Sequence, residues 1–270
     1  MEPPHEVSAY YEQFAEESRL DSGPARLEFE RTKELLTRVL PKPPASIVDV
    51  GGAAGAYSAW LAGRGYEAHL VDVSPRLVER ARQLNARLEK PIASLAVAEA
   101  RRLPQADGFA TAVLLMGPLY HLPSAEDRKA ALLEALRVIK PAGVVVVAAI
   151  SRYASALDGL ARRLADDPAF VKIRDQDLRD GQHRNDTGWP GYFTTAYFHR
   201  PEDLRAEVQA AGFHDVGVFG VEGPGWMVSD FDRRWEDAAW RADIVNLARV
   251  LESEPSILGA SAHLLAIGRK

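Results

Sequence analysis

The feature that most constrains the fold is a short apolar stretch that runs directly into small residues, Ile47-Val-Asp-Val-Gly-Gly-Ala-Ala-Gly55. A second apolar stretch follows it and ends on an acid, Leu70-Val71-Asp72. Small residues after a buried strand let the backbone approach a ligand closely, and the helix that follows presents unpaired N–H groups to that ligand. The pattern predicts a strand, a tight turn and a helix that together bind a nucleoside.

The spacing of the small residues indicates which kind of nucleoside. A dinucleotide fingerprint has the form G-x-G-x-x-G, with its glycines where the pyrophosphate meets the helix. Here the small residues are Gly51, Ala53 and Gly55, and Asp49 precedes them, giving D-x-G-x-A-x-G. An ionised carboxylate at Asp49 would repel a pyrophosphate, whereas it suits an ammonium group. Because alanine carries a methyl group, we expect a negative φ at Ala53.

This motif resembles that of the class I S-adenosylmethionine-dependent methyltransferases, from which it departs at Ala53, where the family has glycine. The resemblance implies S-adenosyl-L-methionine as the methyl donor, S-adenosyl-L-homocysteine as the product, and no metal. An acid such as Asp72, at the end of the second strand, is placed to accept both ribose hydroxyls. The alternative is an ordinary strand-turn-helix in which Asp72 is only an acid at the start of a helix. The cofactor residues implied for these two segments are Asp49, Gly51, Gly52, Gly55, Asp72 and Val73.

Two later segments correspond to further motifs of the family. Glu99 and Ala100 follow the third strand. At this position, family members have an acid or amide side chain and neighbouring backbone that contact the adenine amine. A solvated loop acid is the alternative for Glu99. The segment 116–121, Met-Gly-Pro-Leu-Tyr-His, follows the fourth strand and looks like the family's motif at the methyl-transfer centre. There the carbonyls of Met116 and Gly117 and the ring of Tyr120 could face the sulfonium, a cation that suits aromatic surfaces.

Three other side chains are candidates for the reaction or for the cofactor. Together with Tyr120, His121 is a catalytic candidate, as a general base, because imidazole titrates near neutrality; the alternative is a histidine that closes the strand-helix turn through a backbone hydrogen bond. Many relatives place an N-terminal aromatic over the cofactor, and Tyr11 is the candidate here. Arg19 could pair with the cofactor carboxylate as a planar fork. Its alternative is a surface helix cation.

The alternation of strands and helices sets the expected architecture. Fully apolar strands separated by amphipathic helices predict a parallel sheet covered on both faces, with ligands outside the carboxyl ends of its strands. We therefore expect an α/β, doubly wound, mostly parallel seven-stranded sheet of Rossmann-like methyltransferase type, ending in the family's antiparallel strand pair. The predicted strands cover 46–50, 67–73, 92–98, 109–116, 143–150, 214–221 and 263–268, and the main helices cover 54–63, 125–140, 201–212 and 230–251, with another opened by Ser74-Pro75.

The chain divides into four predicted parts. Residues 1–42 form an N-terminal helical lid, whose first segment carries Tyr11 and Phe14 on one face. Residues 43–150 form the cofactor-binding core, and residues 200–270 complete the core sheet. Between them, at 151–199, the alternation breaks into two amphipathic segments and a loop, which we interpret as a cap over the acceptor.

An aromatic cluster ends this cap. Aromatic side chains with a few polar tips suit a flat organic acceptor, although such clusters also form ordinary core. The acceptor-contacting candidates are Trp189, Tyr192, Tyr197, His199 and Trp226.

Composition narrows the functional classes. The chain has 270 residues and a net charge of −5, with no long run of Lys or Arg, which argues against nucleic acid as a partner. The absence of cysteine excludes disulfides, thiolate metal sites and a cysteine nucleophile. No segment has the length of a membrane span or the pattern of a signal peptide, so we expect a cytoplasmic protein.

The expected activity is methyl transfer to a small organic acceptor by direct displacement, with a general base optional. The alternatives are an RNA or protein methyltransferase, which the acidic balance and the cap disfavour, and a protein that binds S-adenosylmethionine or S-adenosylhomocysteine without transferring a methyl group. The sequence names neither the acceptor nor the oligomeric state.

Overall fold

A mostly parallel sheet organises the chain. The computed structural model describes residues 10–11 and 16–270, so Phe14 and the first nine residues of the expected lid lie outside the described residues. The strands are β1 (Ser46–Val50), β2 (Glu67–Asp72), β3 (Ser94–Val97), β4 (Ala110–Leu115), β5 (Ile139–Ser151), β6 (Gln182–His183), β7 (Ala196–His199), β8 (His214–Gly220) and β9 (His263–Arg269). The parallel strands run in the order β3-β2-β1-β4-β5, and β9 continues the sheet antiparallel to β5, with β8 antiparallel beyond it.

All seven expected strands are present, but the described sheet has two more. Strands β6 and β7 lie within residues 151–199, and β7 runs parallel to the end of β5. Ile150 pairs both with His263 of β9 and with Phe198 of β7. Since β9 occupies one edge of β5, β7 must occupy the other edge, just beyond the carboxyl end of β4. The cap is thereby held over the segment that follows β4.

Alternate residues of the central strands are buried on opposite faces of the sheet. Ile47, Leu70 and Leu114 belong to one core cluster, which the helices between residues 25 and 85 cover. Val48 and Val113 belong to the other, under helices Ala125–Val138 and Pro201–Ala210. Burial on both faces explains why these strands are apolar throughout.

The helices begin and end near their predicted bounds. Their limits are Ala25–Val39, Ala56–Gly63, Pro75–Asn85, Ala125–Val138, Ala154–Ala161, Pro168–Asp180, Pro201–Ala210, Phe231–Trp235 and Ala238–Leu251. The single helix expected over 230–251 is two helices, because the Asp237 side chain accepts hydrogen bonds from the N–H groups of Ala239 and Trp240 and starts a new one. Among the described residues, no helix combines the length and the apolar character needed to cross a membrane.

Candidate active site

The turn after β1 is built on backbone conformations that small residues permit. Gly51 has φ 75°, and a Cβ there would lie 2.6 Å from Cδ of Pro118. The expectation of a negative φ at Ala53 is wrong, because Ala53 has φ 47°. Its N–H donates to Oδ2 of Asp72 at 2.9 Å. This charge-assisted bond offsets the cost of about 1–2 kcal/mol for a left-handed alanine.

Gly52 brings the turn close to the sheet. A Cβ at Gly52 would lie 2.8 Å from Cγ of Leu70 and 3.0 Å from Oδ2 of Asp49. Any larger residue would therefore push the turn away from both side chains. Gly55, at the start of the next helix, has φ 95°, which again favours glycine. Close packing and backbone conformation together account for the small residues of the motif.

Asp49 carries an unsatisfied oxygen at the centre of this site. Its side chain is fully buried, and its Oδ2 accepts a hydrogen bond from the Ser58 hydroxyl at 2.7 Å. Its Oδ1 is buried without a hydrogen-bond partner among the described residues. Burial raises the pKa of Asp49 to about 6. A buried acceptor without a partner is costly, and a cationic donor such as an ammonium group would satisfy it.

Asp72 holds the turn and keeps acceptor capacity. It is largely buried; its Oδ1 accepts from the N–H of Ser74 at 2.8 Å, and its Oδ2 accepts from Ala53. Burial raises the pKa of this carboxyl above its usual value. Each carboxylate oxygen has two acceptor sites, so both could still receive a hydroxyl donor. The Asp49 and Asp72 geometry therefore fits an aminoacyl nucleoside with a free ribose diol.

Apolar surface lies beside Asp72 at the end of β3. Val73 is 39% exposed and Val97 is 48% exposed, and the register of β2 and β3 makes them near neighbours. The sequence analysis missed Val97, because it identified the acid that follows the strand and not the strand's last residue. Ala100 is buried, and Glu99 forms an ion pair with Arg101 at 2.5 Å. Two exposed valines form a surface suited to a planar base.

The segment after β4 packs directly against the glycine turn. The N–H of Met116 donates to the carbonyl of Val50 at 3.0 Å, and residues Pro118–His121 form a 3₁₀ turn. A Cβ on Gly117 would lie 3.5 Å from the Tyr120 hydroxyl and 3.8 Å from the carbonyl of Gly51. The structure thus brings Gly51, Gly117 and Tyr120 together at the carboxyl edge of the sheet.

His121 connects three distant parts of the chain. Its Nε2 lies 2.7 Å from the Tyr11 hydroxyl, and its Nδ1 lies 3.4 Å from the carbonyl of Thr195 in the cap. Burial lowers the pKa of His121 to about 4, so the ring is neutral at physiological pH. A neutral ring that donates from Nδ1 to a carbonyl accepts at Nε2, so the Tyr11 hydroxyl is the donor. The backbone bond of His121 is therefore made to the cap rather than within the strand-helix turn.

A cavity of about 420 Å³ opens beside this segment. Its wall comes from the N-terminal tyrosines, the end of β5, the cap and the start of β9, and it is largely aromatic. Tyr120 lines the cavity and also approaches Gly117, so the cavity adjoins the glycine turn. The aromatic side chains of the wall include Tyr11, Tyr120, Tyr192, Phe193, Phe198 and Trp226.

Of the five acceptor-contacting candidates, only Tyr192 and Trp226 line this cavity. Trp189 is 47% exposed and packs edge-on against Tyr192. Tyr197 and His199 lie on the opposite face of β7 from Phe198, because successive side chains of a strand alternate.

On that face of β7, the Arg128 guanidinium lies 3.7 Å from the centre of the Tyr197 ring, and Nε2 of His199 lies 3.2 Å from Glu207. The sequence analysis grouped all these aromatics because it did not predict β7.

A buried polar network supports the cap. Asp177 is fully buried and accepts hydrogen bonds from the Ser155 hydroxyl at 2.5 Å and from Nδ1 of His183 at 2.9 Å. Nε2 of His183 lies 2.8 Å from the carbonyl of Tyr192. Ser155, His183 and Tyr192 all line the cavity, so this network fixes a large part of its wall.

A cluster of four charged side chains contributes Arg19 and His263 to the wall. Arg19 donates hydrogen bonds from Nη1 and Nη2 to the two carboxylate oxygens of Glu28, at 2.6 and 2.9 Å. In this structure Arg19 thus faces a protein carboxylate, where the sequence analysis expected a cofactor carboxylate. Burial raises the pKa of Glu28, but Arg19 and His263 outweigh it and lower that pKa to about 2. Glu222 completes the cluster, with Oε1 2.5 Å from Nδ1 of His263.

No local pattern in the sequence indicates that these four residues lie together. Glu28, Glu222 and His263 come from three distant elements, and only the sheet topology brings them together. The sequence analysis missed all three for this reason.

Comparisons with known proteins bear on the family and the fold of the chain. Residues 48–147 match the family model described as a methyltransferase domain. Among curated protein sequences there is no match to this chain.

Many solved structures share the fold. One is an S-adenosylmethionine-dependent methyltransferase from Thermotoga maritima, described as a possible histamine N-methyltransferase, with a TM-score of 0.60, 18% identity, and coverage of 97% of this chain and 99% of that one. The N-methyltransferase NodS from Bradyrhizobium japonicum, bound to S-adenosylhomocysteine, has a TM-score of 0.58, 18% identity, and coverage of 98% and 97%. Phosphoethanolamine N-methyltransferase 2 from Haemonchus contortus, bound to S-adenosylmethionine, has a TM-score of 0.58, 15% identity, and coverage of 90% and 52%.

Proposed function

We propose that this chain, a member of the class I S-adenosylmethionine-dependent methyltransferases, methylates a small organic molecule held in the cavity under the cap. The observation that carries the proposal is the position of that cavity. It adjoins the glycine turn at Tyr120 and is walled by side chains from the cap and the N-terminal tyrosines. A volume of about 420 Å³ suits a small molecule and is too small for a folded macromolecular surface.

The residues that would hold the cofactor follow from the site. Asp49 offers its unpartnered Oδ1 to an ammonium group, and Asp72 offers its remaining acceptor positions to the ribose hydroxyls. Val73 and Val97 offer an apolar surface to the base. When bound, S-adenosylmethionine supplies a methyl group on a positively charged sulfur, which leaves as the neutral thioether of S-adenosylhomocysteine.

The chain's own contribution to the reaction is positioning and the exclusion of water. Because the leaving group is already activated, holding the acceptor in line with the methyl group supplies most of the acceleration. The cavity wall is aromatic on several sides, and the network around Asp177 keeps the cap in place. Tyr11 lines the cavity and donates to the neutral ring of His121, so it is the candidate to pass a proton from the acceptor to that ring.

Two measurements test the proposal. The purified protein should bind S-adenosylhomocysteine in calorimetry with a single site, and it should not bind NAD. A panel of small metabolites, each incubated with S-adenosylmethionine, should contain acceptors that release S-adenosylhomocysteine, whereas bulk RNA and unfolded protein should not. Turnover on RNA or protein alone would overturn the choice of a small acceptor, and tight binding of NAD would overturn the cofactor.

A further inference from the structure

His263 lines the cavity, and the protein sets both its charge and the direction of its ring. Its Nδ1 lies 2.5 Å from Oε1 of Glu222 and 3.7 Å from Oε2 of Glu28. Glu222 is itself held by the Ser261 hydroxyl and by the N–H of His263. The ring is therefore anchored through Nδ1 and cannot turn without losing this contact.

The groups that face His263 favour its charged form. Glu28 lies on the helix Ala25–Val39, and Glu222 lies just after β8. Arg19 lies on the 3₁₀ helix Glu16–Asp21. Burial and Arg19 oppose the charge on His263, but the two glutamates outweigh them and raise the pKa of His263 to about 9. The cluster of two glutamates, one histidine and one arginine is then balanced in charge, with no metal needed.

The other ring nitrogen of His263 has no partner. Nε2 makes no hydrogen bond within the part of the chain that the structure describes, and the side chain is 28% exposed where it lines the cavity. An imidazolium that gives its Nδ1 proton to Glu222 has its Nε2 proton left to give. The cavity thus contains a fixed, positively charged hydrogen-bond donor.

The positive charges at the wall are paired with carboxylates, Arg19 with Glu28 and His263 with Glu222. Arg19, Arg162 and His263 line the cavity, against the single carboxylate of Asp158. Asp158 is already paired with Arg162 at 2.9 Å. An ammonium group cannot accept the Nε2 proton of His263, whereas an anionic oxygen can.

Building on the function proposed above, we propose that the acceptor carries a carboxylate, which accepts a hydrogen bond from Nε2 of His263 while its apolar part lies between the aromatic side chains. The acceptor class is thus an aromatic or other apolar carboxylic acid. His263 is a specificity-determining residue that touches the substrate and takes no part in breaking or forming the methyl bond.

The test compares acids with their amides on protein saturated with S-adenosylhomocysteine. The probes are 4-hydroxybenzoate with 4-hydroxybenzamide, and 3-phenylpropanoate with 3-phenylpropanamide, titrated by calorimetry at pH 7.5. We expect at least one acid to bind at least tenfold more tightly than its amide, because a charged hydrogen bond adds that much affinity. Equal affinity within both pairs, or no binding of either acid at millimolar concentration, would overturn the proposal.

The variant His263→Gln keeps a polar side chain and removes the charge. It should lower the affinity for the acid to that for the amide and leave the affinities for the amide and for S-adenosylhomocysteine unchanged. His214→Gln is the matched control, because His214 is exposed on β8 and does not line the cavity. An equal loss for acid and amide in His263→Gln would indicate a structural role and contradict the proposal.

A pH series gives a second readout that does not depend on the folding of His263→Gln. In the wild type, acid binding should be retained up to about pH 9 and lost above it, as His263 gives up its proton. Glu222→Gln removes one of the two negative charges that favour the imidazolium, so the loss should move to lower pH. Identical profiles in the two proteins would exclude His263 as the donor. A wild type that does not bind S-adenosylhomocysteine would overturn the proposed function. A wild type that binds it but does not distinguish acid from amide would overturn only the proposal about the acceptor.

Discussion

The two halves of the candidate active site are built in different ways. The cofactor half consists of the ends of strands β1 to β4 and the turns that follow them, all within residues 46–121, and its key contacts join neighbouring elements. The acceptor half draws on the N-terminal segment, the cap, the end of β8 and the start of β9, and its contacts join residues far apart in sequence. Local geometry fixes the first half, whereas long-range packing fixes the second. Disturbing one half should therefore leave the other largely intact.

The largest expected effect is on the acceptor half. Asp177→Ala removes the buried acceptor that Ser155 and His183 share, and breaking such a buried pair typically costs about 3–5 kcal/mol. We expect the free energy of unfolding to fall by about that amount and the affinity for an acceptor to fall with it. Chemical denaturation and calorimetry measure the two. Asp175→Ala, on the exposed side of the same helix, is the control and should change neither.

The affinity of the Asp177→Ala variant for S-adenosylhomocysteine tests the separation of the halves. At a temperature where the variant is folded, it should remain within about twofold of the wild type. A parallel loss of cofactor affinity would show that the two halves fold and bind as one unit.

The next effect is expected at Asp49, where the variant Asp49→Asn should gain stability and lose affinity for the cofactor. The pKa of Asp49 rises from 3.8 in the unfolded chain to about 6 in the folded protein. At 1.36 kcal/mol per pKa unit, the ionised carboxylate then costs about 3 kcal/mol at neutral pH. Asp49→Asn removes that cost, so the variant should be up to about 3 kcal/mol more stable without ligand while binding S-adenosylhomocysteine more weakly.

The stability of the protein should depend on pH through Asp49. Because folding raises the pKa of Asp49, the contribution of this carboxyl to the stability of the wild type is fully present below pH 3.8. That contribution is lost as the pH rises through about 6. The advantage of Asp49→Asn should thus shrink by about half between pH 7.5 and pH 5. Ser58→Ala, which removes the hydrogen bond to Asp49, should destabilise the protein instead. A variant Asp49→Asn that is less stable at both pH values would contradict the assignment.

A smaller effect is expected at Asp72. Asp72→Asn keeps the size of the side chain and removes the charge that would receive two hydroxyl donors. Since hydrogen bonds to a charged group contribute about 1.5–3 kcal/mol, the affinity for S-adenosylhomocysteine should fall at least tenfold in calorimetry. Asp107→Asn, at an exposed ion pair with Arg137, should leave that affinity unchanged. Unchanged affinity in Asp72→Asn would remove the ribose contact from the model of the site.

The smallest effect is expected at His121, where the two halves meet. A general base contributes about 10²–10⁴ in rate, but a pKa of about 4 makes His121 a weak base near neutrality. We expect His121→Asn to lower kcat less than tenfold, once an acceptor is known. A loss of about 10² or more, in a variant whose melting temperature matches the wild type, would identify His121 as the base.

The same contrast explains how far the sequence alone could go. The positions of the seven expected strands and the motif around Gly51 follow from periodicity and spacing, which are local properties, and the structure reproduces these strands. The φ of Ala53 could not be predicted, because it depends on a hydrogen bond to Asp72 across the turn. The faces of Tyr197 and Phe198 could not be assigned, because strand β7 has only four residues and exists through its pairing with β5 and β6. The role of His263 could not be predicted from the sequence, because its charge depends on two glutamates, Glu28 and Glu222, from other elements.

Tyr10 and Tyr11 of the N-terminal segment should link the binding of the two ligands. Tyr10 lies edge-on to Phe193 of the cap, Tyr11 donates to His121, and Arg76 at the start of helix Pro75–Asn85 hydrogen-bonds to the carbonyl of Tyr11. Two adjacent residues thus contact both halves of the site. A ligand in either half that orders this pair would do part of the ordering that the other ligand requires, so we expect the two ligands to bind with positive cooperativity. By linkage, S-adenosylhomocysteine then raises the affinity for the acceptor by the same factor by which the acceptor raises the affinity for S-adenosylhomocysteine.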